Sequence, residues 1–261
     1  MTSKAEDFDY KKIDIIRALK KVGLKSGDSF FTHSNIGFFG RLENCNCIEN
    51  LYQAFKEAIF EVIGKTGTLV VPTFSYSYCK KEIFDKKTTQ STCGILSEMI
   101  RLDKDSLRSD DANFSVCSIG KLAKYFTKNS SEYSFGKNSF WERFISVNGK
   151  ICNFNFDAGS TFFHYIERTQ KVSYRYDKPF YGKSLIENKE IDGVFYHYCR
   201  DLSLQNTYPD NVKFDKKMKV LGLVKSVNLG KGQIVLVTSR DTFDIIASEL
   251  KTNPTFLIQD M

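Results

Sequence analysis

The sequence predicts an α/β fold, a single domain over residues 1–261 with a mixed sheet between helices. Short apolar runs bounded by glycine or proline alternate with longer segments whose apolar residues recur at helical spacing. No internal repeat and no low-complexity linker interrupts that alternation. The composition, 41% hydrophobic and 26% charged, belongs to a chain that buries a core and excludes a disordered one.

The elements follow in order. Residues 10–22 (YKKIDIIRALKKV) carry apolar side chains at helical spacing, and Gly23 and Gly27 end the helix. Ser29 to His33 (SFFTH) reads as a strand. Residues 48–63 form a second amphipathic helix closed by Gly64, and GTLVVPTF at 67–74 reads as a buried strand. A helix at 92–101 precedes a strand at 113–119, and Gly120 opens another helix. GKICNFNF at 149–156 is a strand. AGSTFFHYIERT after it is a helix with Ser160 or Thr161 near its start. Strands are expected at 194–199, 220–226 and 233–238, and residues 241–250 form the last helix.

Composition narrows the function. Lys and Arg number 38 against 31 Asp and Glu, a net charge of +7. That excess reads either as solubility or as attraction for an anionic ligand, and no basic block suits a nucleic-acid partner. No run of about 18 apolar residues occurs, and MTSKAEDFDYKK lacks a signal peptide's apolar core, so a cytoplasmic protein with no membrane partner is expected. Seven cysteines form no CxxC, and no histidine cluster lies near the close pair Cys45 and Cys47. No metal site is expected, and the cysteines read as free thiols of a reducing compartment.

Three histidines, His33, His164 and His197, are the candidates for a general base. Thr161, His164 and Glu167 are spaced i, i+3 and i+6, so they share one helical face. Their helix follows a strand, and ligands of open α/β sheets bind beyond the carboxyl ends of strands. There they could serve as oxyanion donor, base and orienter. The same spacing also fits a structural histidine in an aromatic core, with Thr161 as a cap and Glu167 in solvent. His33 and Ser34 end a strand before NIGFFG, a turn able to offer N–H groups to a phosphate. His197, in VFYHYCR before Asp201, fits an ordinary strand or the outer part of a site. No GxGxxG, P-loop, GxSxG or HExxH occurs.

The segments GDSFFTHSNIGFFG, GTLVVPTFSYS, RSDDANFSVCSIG, the FFHYIE helix, VSYRYDKPFYG and NPTFLI stand in the order of one family. Over nearly its whole length the chain resembles the aminoglycoside 3-N-acetyltransferases. The resemblance implies an α/β/α sandwich with a central mixed sheet, unlike the small GNAT fold. It also implies acetyl-CoA as co-substrate and an amine as acceptor. The family's T-x-x-H-x-x-E falls on Thr161, His164 and Glu167. His164 would then be the base and Thr161 would hold the oxyanion or the thioester, with Asp157 orienting the site. His33, Ser34, Asn35 and Ser115 would contact CoA.

Antibiotic-modifying members usually carry R-S-x-H-P-x-x-S. Here Asp111 stands at the histidine and Ala112 at the proline, in a stretch that runs from Arg108 to Ser115. Lys80 and Lys81 occupy a loop where those members carry acidic residues for a polycation. The resemblance therefore points to the branch associated with surface-polysaccharide (lipopolysaccharide) assembly, and to direct acetylation of a nucleotide-linked deoxyamino sugar. Tyr76, Tyr78, Lys80, Asp111, Arg175 and Lys178 are the candidate substrate contacts. An aminoglycoside acceptor, and a non-catalytic binding protein on the same scaffold, are the alternatives. The resemblance is also compatible with a homodimer.

Overall fold

The computed structural model describes residues 8–259. The first seven residues of the polar N-terminal stretch lie outside that range. The described elements are α1 (Lys12–Val22), β1 (Ser29–Phe31), a 3-10 turn (Ile36–Phe39), α2 (Ile48–Ile63), β2 (Thr68–Pro72), α3 (Ser77–Lys80), β3 (Phe84–Asp85), α4 (Ile95–Leu102), β4 (Leu107–Arg108), β5 (Val116–Gly120), α5 (Ala123–Thr127), α6 (Phe140–Ser146), β6 (Lys150–Phe154), α7 (Phe162–Gln170), β7 (Arg175–Ile186), β8 (Lys189–Arg200), α8 (Val212–Val220), β9 (Lys225–Leu229), β10 (Gly232–Thr238) and α9 (Ser239–Thr252).

A large mixed sheet runs in the order β4-β5-β2-β1-β6-β10-β9. Its centre is parallel: β1 pairs with β2 on one side and β6 on the other. The flanking pairs β2–β5, β4–β5, β6–β10 and β9–β10 are antiparallel. The central strands are buried on both faces, as parallel strands must be. Their side chains alternate between two cores. Phe30, Leu69, Cys152 and Ile234 point to the core with α1, α2 and α4, while Phe31, Val70, Ile151 and Val235 point to the core with α6, α7 and α9. Among the described residues, no helix is long and apolar enough to cross a membrane.

Close approaches fix the sheet. Gly120 has φ +124°, and a Cβ there would lie 2.2 Å from the Gly67 carbonyl oxygen. The second sheet, β3-β7-β8, is a ribbon of two 12-residue strands with β3 added in parallel. It packs on α3 through a gap left by two missing side chains. A Cβ at Gly182 would meet the Tyr78 ring at 2.5 Å.

Three departures from the expected elements stand out, beside the unexpected β7, α3, β3 and β4. Residues 194–199 are one end of β8, whose other half is paired but exposed. The apolar run at 220–226 is no strand over its first part. Val220 ends α8, a helix formed because Phe214 and Met218, at i and i+4, bury one face. Helix α6, absent from the reading of the sequence, starts at Ser139, whose side chain caps it by accepting from the Glu142 N–H.

Candidate active site

The site begins at the carboxyl ends of β1 and β6. Beyond β1 the chain stays against β6: the His33 carbonyl accepts from the Phe154 N–H at 2.9 Å, and the Asn35 N–H donates to the Phe154 carbonyl at 2.9 Å. Asn153, fully buried on β6, links this edge to the turn that follows. Its Oδ1 accepts from the His33 N–H at 3.0 Å, and its Nδ2 donates to the carbonyls of Asp157 and Gly159. That turn delivers Thr161 to the start of α7.

Thr161 meets His33. The Thr161 N–H donates to His33 Nε2 at 3.3 Å, and the Thr161 hydroxyl lies at the same distance. Nε2 is therefore an acceptor, and the neutral ring carries its proton on Nδ1. Burial pushes the His33 pKa down to about 4, so the ring is neutral near pH 7.

One turn further along α7, His164 is partly exposed and Glu167 is 1% exposed. His164 Nδ1 lies 2.8 Å from Glu167 Oε2. Arg175 Nε lies 2.8 Å from the same oxygen, and the Tyr174 hydroxyl donates to Oε1 at 2.9 Å. Burial alone would raise the Glu167 pKa. The hydrogen bond and charge of His164, with the Arg175 guanidinium, outweigh burial and hold it below the usual glutamate value. An ionised Glu167 accepts and cannot donate, so Nδ1 of His164 carries a proton, and whenever the ring is neutral its lone pair lies on Nε2.

Two clefts meet at Thr161. The larger, about 600 Å³, is lined by His33, Ser34, Asn35, Tyr76, Gly94 and Phe156 among others, and Thr161 forms part of its wall. The smaller, about 200 Å³, is lined by Thr161, His164, Glu167, Arg175 and Asn211 among others. A group bound in one cleft is thus presented to the other across a hydroxyl and beside an imidazole.

The structure brings Thr161, His164 and Glu167 together, and places His33, Ser34, Asn35 and Tyr76 on the larger cleft. It corrects seven of the expected roles. Asp157 is exposed and does not orient His164; it faces Asp215, whose pKa burial and the Asp157 charge push up to about 6. Ser115 is fully buried, donating to the Thr73 carbonyl at 2.7 Å and accepting from Arg108 Nε at 3.1 Å. Asp111 is buried as an acceptor for the Asn113 and Phe114 N–H groups and the Ser134 hydroxyl. Tyr78 is buried beneath the ribbon, its hydroxyl bonded to Ser184. Lys80 folds back so that Nζ donates to the Ser75 carbonyl at 2.8 Å. Arg175 is ion-paired with Glu167. Lys178 lies on the exposed face of the ribbon, over the Phe180 ring.

The reading of the sequence missed Asn153 and Tyr174. Asn153 had a signal, a polar residue within the apolar run of KICNF. Tyr174 had none. His197 sits apart from the α7 face: it is buried, stacked on Phe180, and accepts from Asn113 Nδ2 at 2.9 Å.

Residues 32–251 match the family described as aminoglycoside 3-N-acetyltransferase. No curated protein matches the chain as a sequence relative. Solved structures share the fold at low identity. Aminoglycoside acetyltransferase AAC(3)-Xa is 17% identical over 92% of each chain, with a TM-score of 0.78. AAC-IIIb, solved as a binary complex with CoASH, is 17% identical over 93% of this chain and 96% of its own, with a TM-score of 0.81. AAC-VIa bound to sisomicin is 20% identical over 93% of this chain and 98% of its own, with a TM-score of 0.78.

These matches correct the expectation of a nucleotide-linked sugar acceptor. They point to aminoglycoside 3-N-acetyltransferases, and the coarser expectation of an acetyltransferase stands. The physical error is visible in the side chains counted as contacts for an anion. Arg175 is neutralised by Glu167, while Lys80 and Lys81 turn to the carbonyls of Ser75 and Tyr181.

Proposed function

The chain belongs to the aminoglycoside 3-N-acetyltransferase family, and from that premise we propose that it transfers the acetyl group of acetyl-CoA to an amine of an aminoglycoside. The observation that carries this reading is Thr161 in the wall of both clefts, with His164 in the smaller one.

The larger cleft suits CoA in size and chemistry. Its volume falls within the range of small-molecule sites. Ser34 Oγ is buried there without a hydrogen-bond partner in the protein, a polar group that a polar ligand would satisfy. Gly94 and Ile95, at the amino end of α4, also line it, and a helix amino end favours a phosphate. Ser34, Asn35 and the first turn of α4 would hold the pantetheine and pyrophosphate groups. The smaller cleft suits an amine. It holds the imidazole of His164 as a proton acceptor, with Thr161 and Asn211 on its wall as polar partners.

The free amine attacks the thioester carbonyl, and the C–N bond forms as Nε2 of His164 takes a proton from nitrogen. The Thr161 hydroxyl stands where it can donate to the tetrahedral oxyanion. Collapse breaks the C–S bond, and the proton held by His164 passes to the leaving sulfur. No cysteine is needed as an acyl carrier. Cys79, Cys152 and Cys199 all have pKa values raised first by burial, the reverse of an activated thiol.

Thiol release from acetyl-CoA, followed with gentamicin, kanamycin and sisomicin, tests the reading. Release that depends on one of these amines, with an N-acetylated product by mass spectrometry, is expected. Release that depends on none of them would reject an aminoglycoside acceptor.

A further inference from the structure

We propose that Arg175, with Tyr174, is a positioning residue for the His164 base: together they hold the Glu167 carboxylate so that Nδ1 of His164 carries the proton and Nε2 remains the acceptor. The proposal rests on the reading of His164 as the base. The geometry is specific. Both oxygens of Glu167 are occupied, Oε2 by His164 Nδ1 and Arg175 Nε at 2.8 Å each, and Oε1 by the Tyr174 hydroxyl at 2.9 Å. Glu167 and the Arg175 side chain are almost fully withdrawn from water, at 2% and 6% side-chain exposure. A buried carboxylate with only a neutral imidazole beside it would tend to take up a proton. It could then donate to Nδ1 and send the ring's proton to Nε2, the nitrogen that must receive the proton of the amine. A guanidinium on the same oxygen removes that alternative.

Arg175 is itself held. Its Nη1 donates to the Tyr198 carbonyl on β8 at 3.2 Å, and the Tyr198 hydroxyl donates to the Val172 carbonyl at 3.0 Å. The start of the ribbon is thereby tied to the end of α7, and the carboxylate is clamped between two elements. The neighbouring charges, Arg168 and Asp177, are paired with each other at 2.8 Å and do not compete for Glu167.

The test compares wild type, Arg175→Met, Arg175→Lys, Glu167→Gln and the double variant Arg175→Met/Glu167→Gln. Steady-state kinetics use acetyl-CoA and sisomicin, and the His164 tautomer is read by 15N–1H correlation NMR on the protein alone. Arg175→Met should lower kcat about ten- to a hundredfold, through loss of the buried ion pair that keeps Glu167 ionised, with the acceptor KM within about threefold. Arg175→Lys should recover part of the loss. In the Glu167→Gln background, Arg175→Met should add nothing. The imidazole signals should leave the Nδ1–H pattern in Arg175→Met. A raised acceptor KM at unchanged kcat, full additivity with Glu167→Gln, or an unchanged tautomer would overturn the proposal. The NMR arm stands even if no aminoglycoside is acetylated, so the two failures are separable. If Arg175→Met does not fold, Arg175→Lys and Glu167→Gln carry both readouts.

Discussion

Thr161 touches one histidine and shares a cleft with another, and their surroundings give the two rings different tasks. His33 is held neutral by burial, with its pKa at about 4, and receives the Thr161 N–H. Its folded pKa lies below the unfolded value of about 6.5. Between those values the unfolded chain binds the extra proton, so stability falls as pH drops from 6.5 to 4 and is flat below. The ring is not fully buried, so about 3 kcal/mol is a ceiling for this effect. Urea unfolding at pH 7 and pH 4.5 should show His33→Asn gaining on wild type at the lower pH. A constant difference would mean that the ring is not desolvated in the folded protein. Asp215 works in the opposite sense, its raised pKa favouring the fold at low pH, but it is common to both proteins and cancels. At this scale the sequence showed Thr161, His164 and Glu167 because helical spacing alone puts them on one face. It did not show what Asp157 and Arg175 do. Asp157 stays in the turn opposite Asp215, while Arg175 reaches Glu167 through a bend at the end of α7 that no local spacing encodes.

Helices with one apolar stripe and strands buried on both faces were legible as elements. Helix α2 begins and ends where its pattern and Gly64 place it. The ribbon was not legible in full, because β7 carries Pro179, Gly182 and several charges and is mostly exposed. Its packing depends on Gly182 lying over Tyr78, which also buried a tyrosine expected at the substrate. Helix α8 was hidden by an apolar run that reads equally as strand. A close backbone approach within the main sheet is at Gly120, where both φ and space forbid a side chain. Gly120→Ala should destabilise by about 2 kcal/mol or more, seen as a lower urea midpoint at an unchanged slope. A change under about 0.5 kcal/mol would mean that β2 and β5 are less closely apposed than described.

Across the whole molecule, the parallel centre of the sheet ends β1 and β6 side by side, and both clefts open from that edge. The fold class and the grouping of Thr161, His164 and Glu167 on one face of α7 followed from the sequence, whereas the acceptor was misjudged from charge counts. Counting lysines and arginines takes each as free, and folding spent Arg175, Lys80 and Lys81 on partners within the chain. The central claim is that acetyl transfer to an aminoglycoside uses Nε2 of His164 at the junction of the clefts. The measurement that tests it most directly is the single-turnover rate of acetyl transfer to sisomicin in wild type and His164→Asn, with acetyl-CoA saturating. A fall of about 10²- to 10⁴-fold, with acetyl-CoA binding retained, is predicted. A rate within a few-fold of wild type would contradict the account.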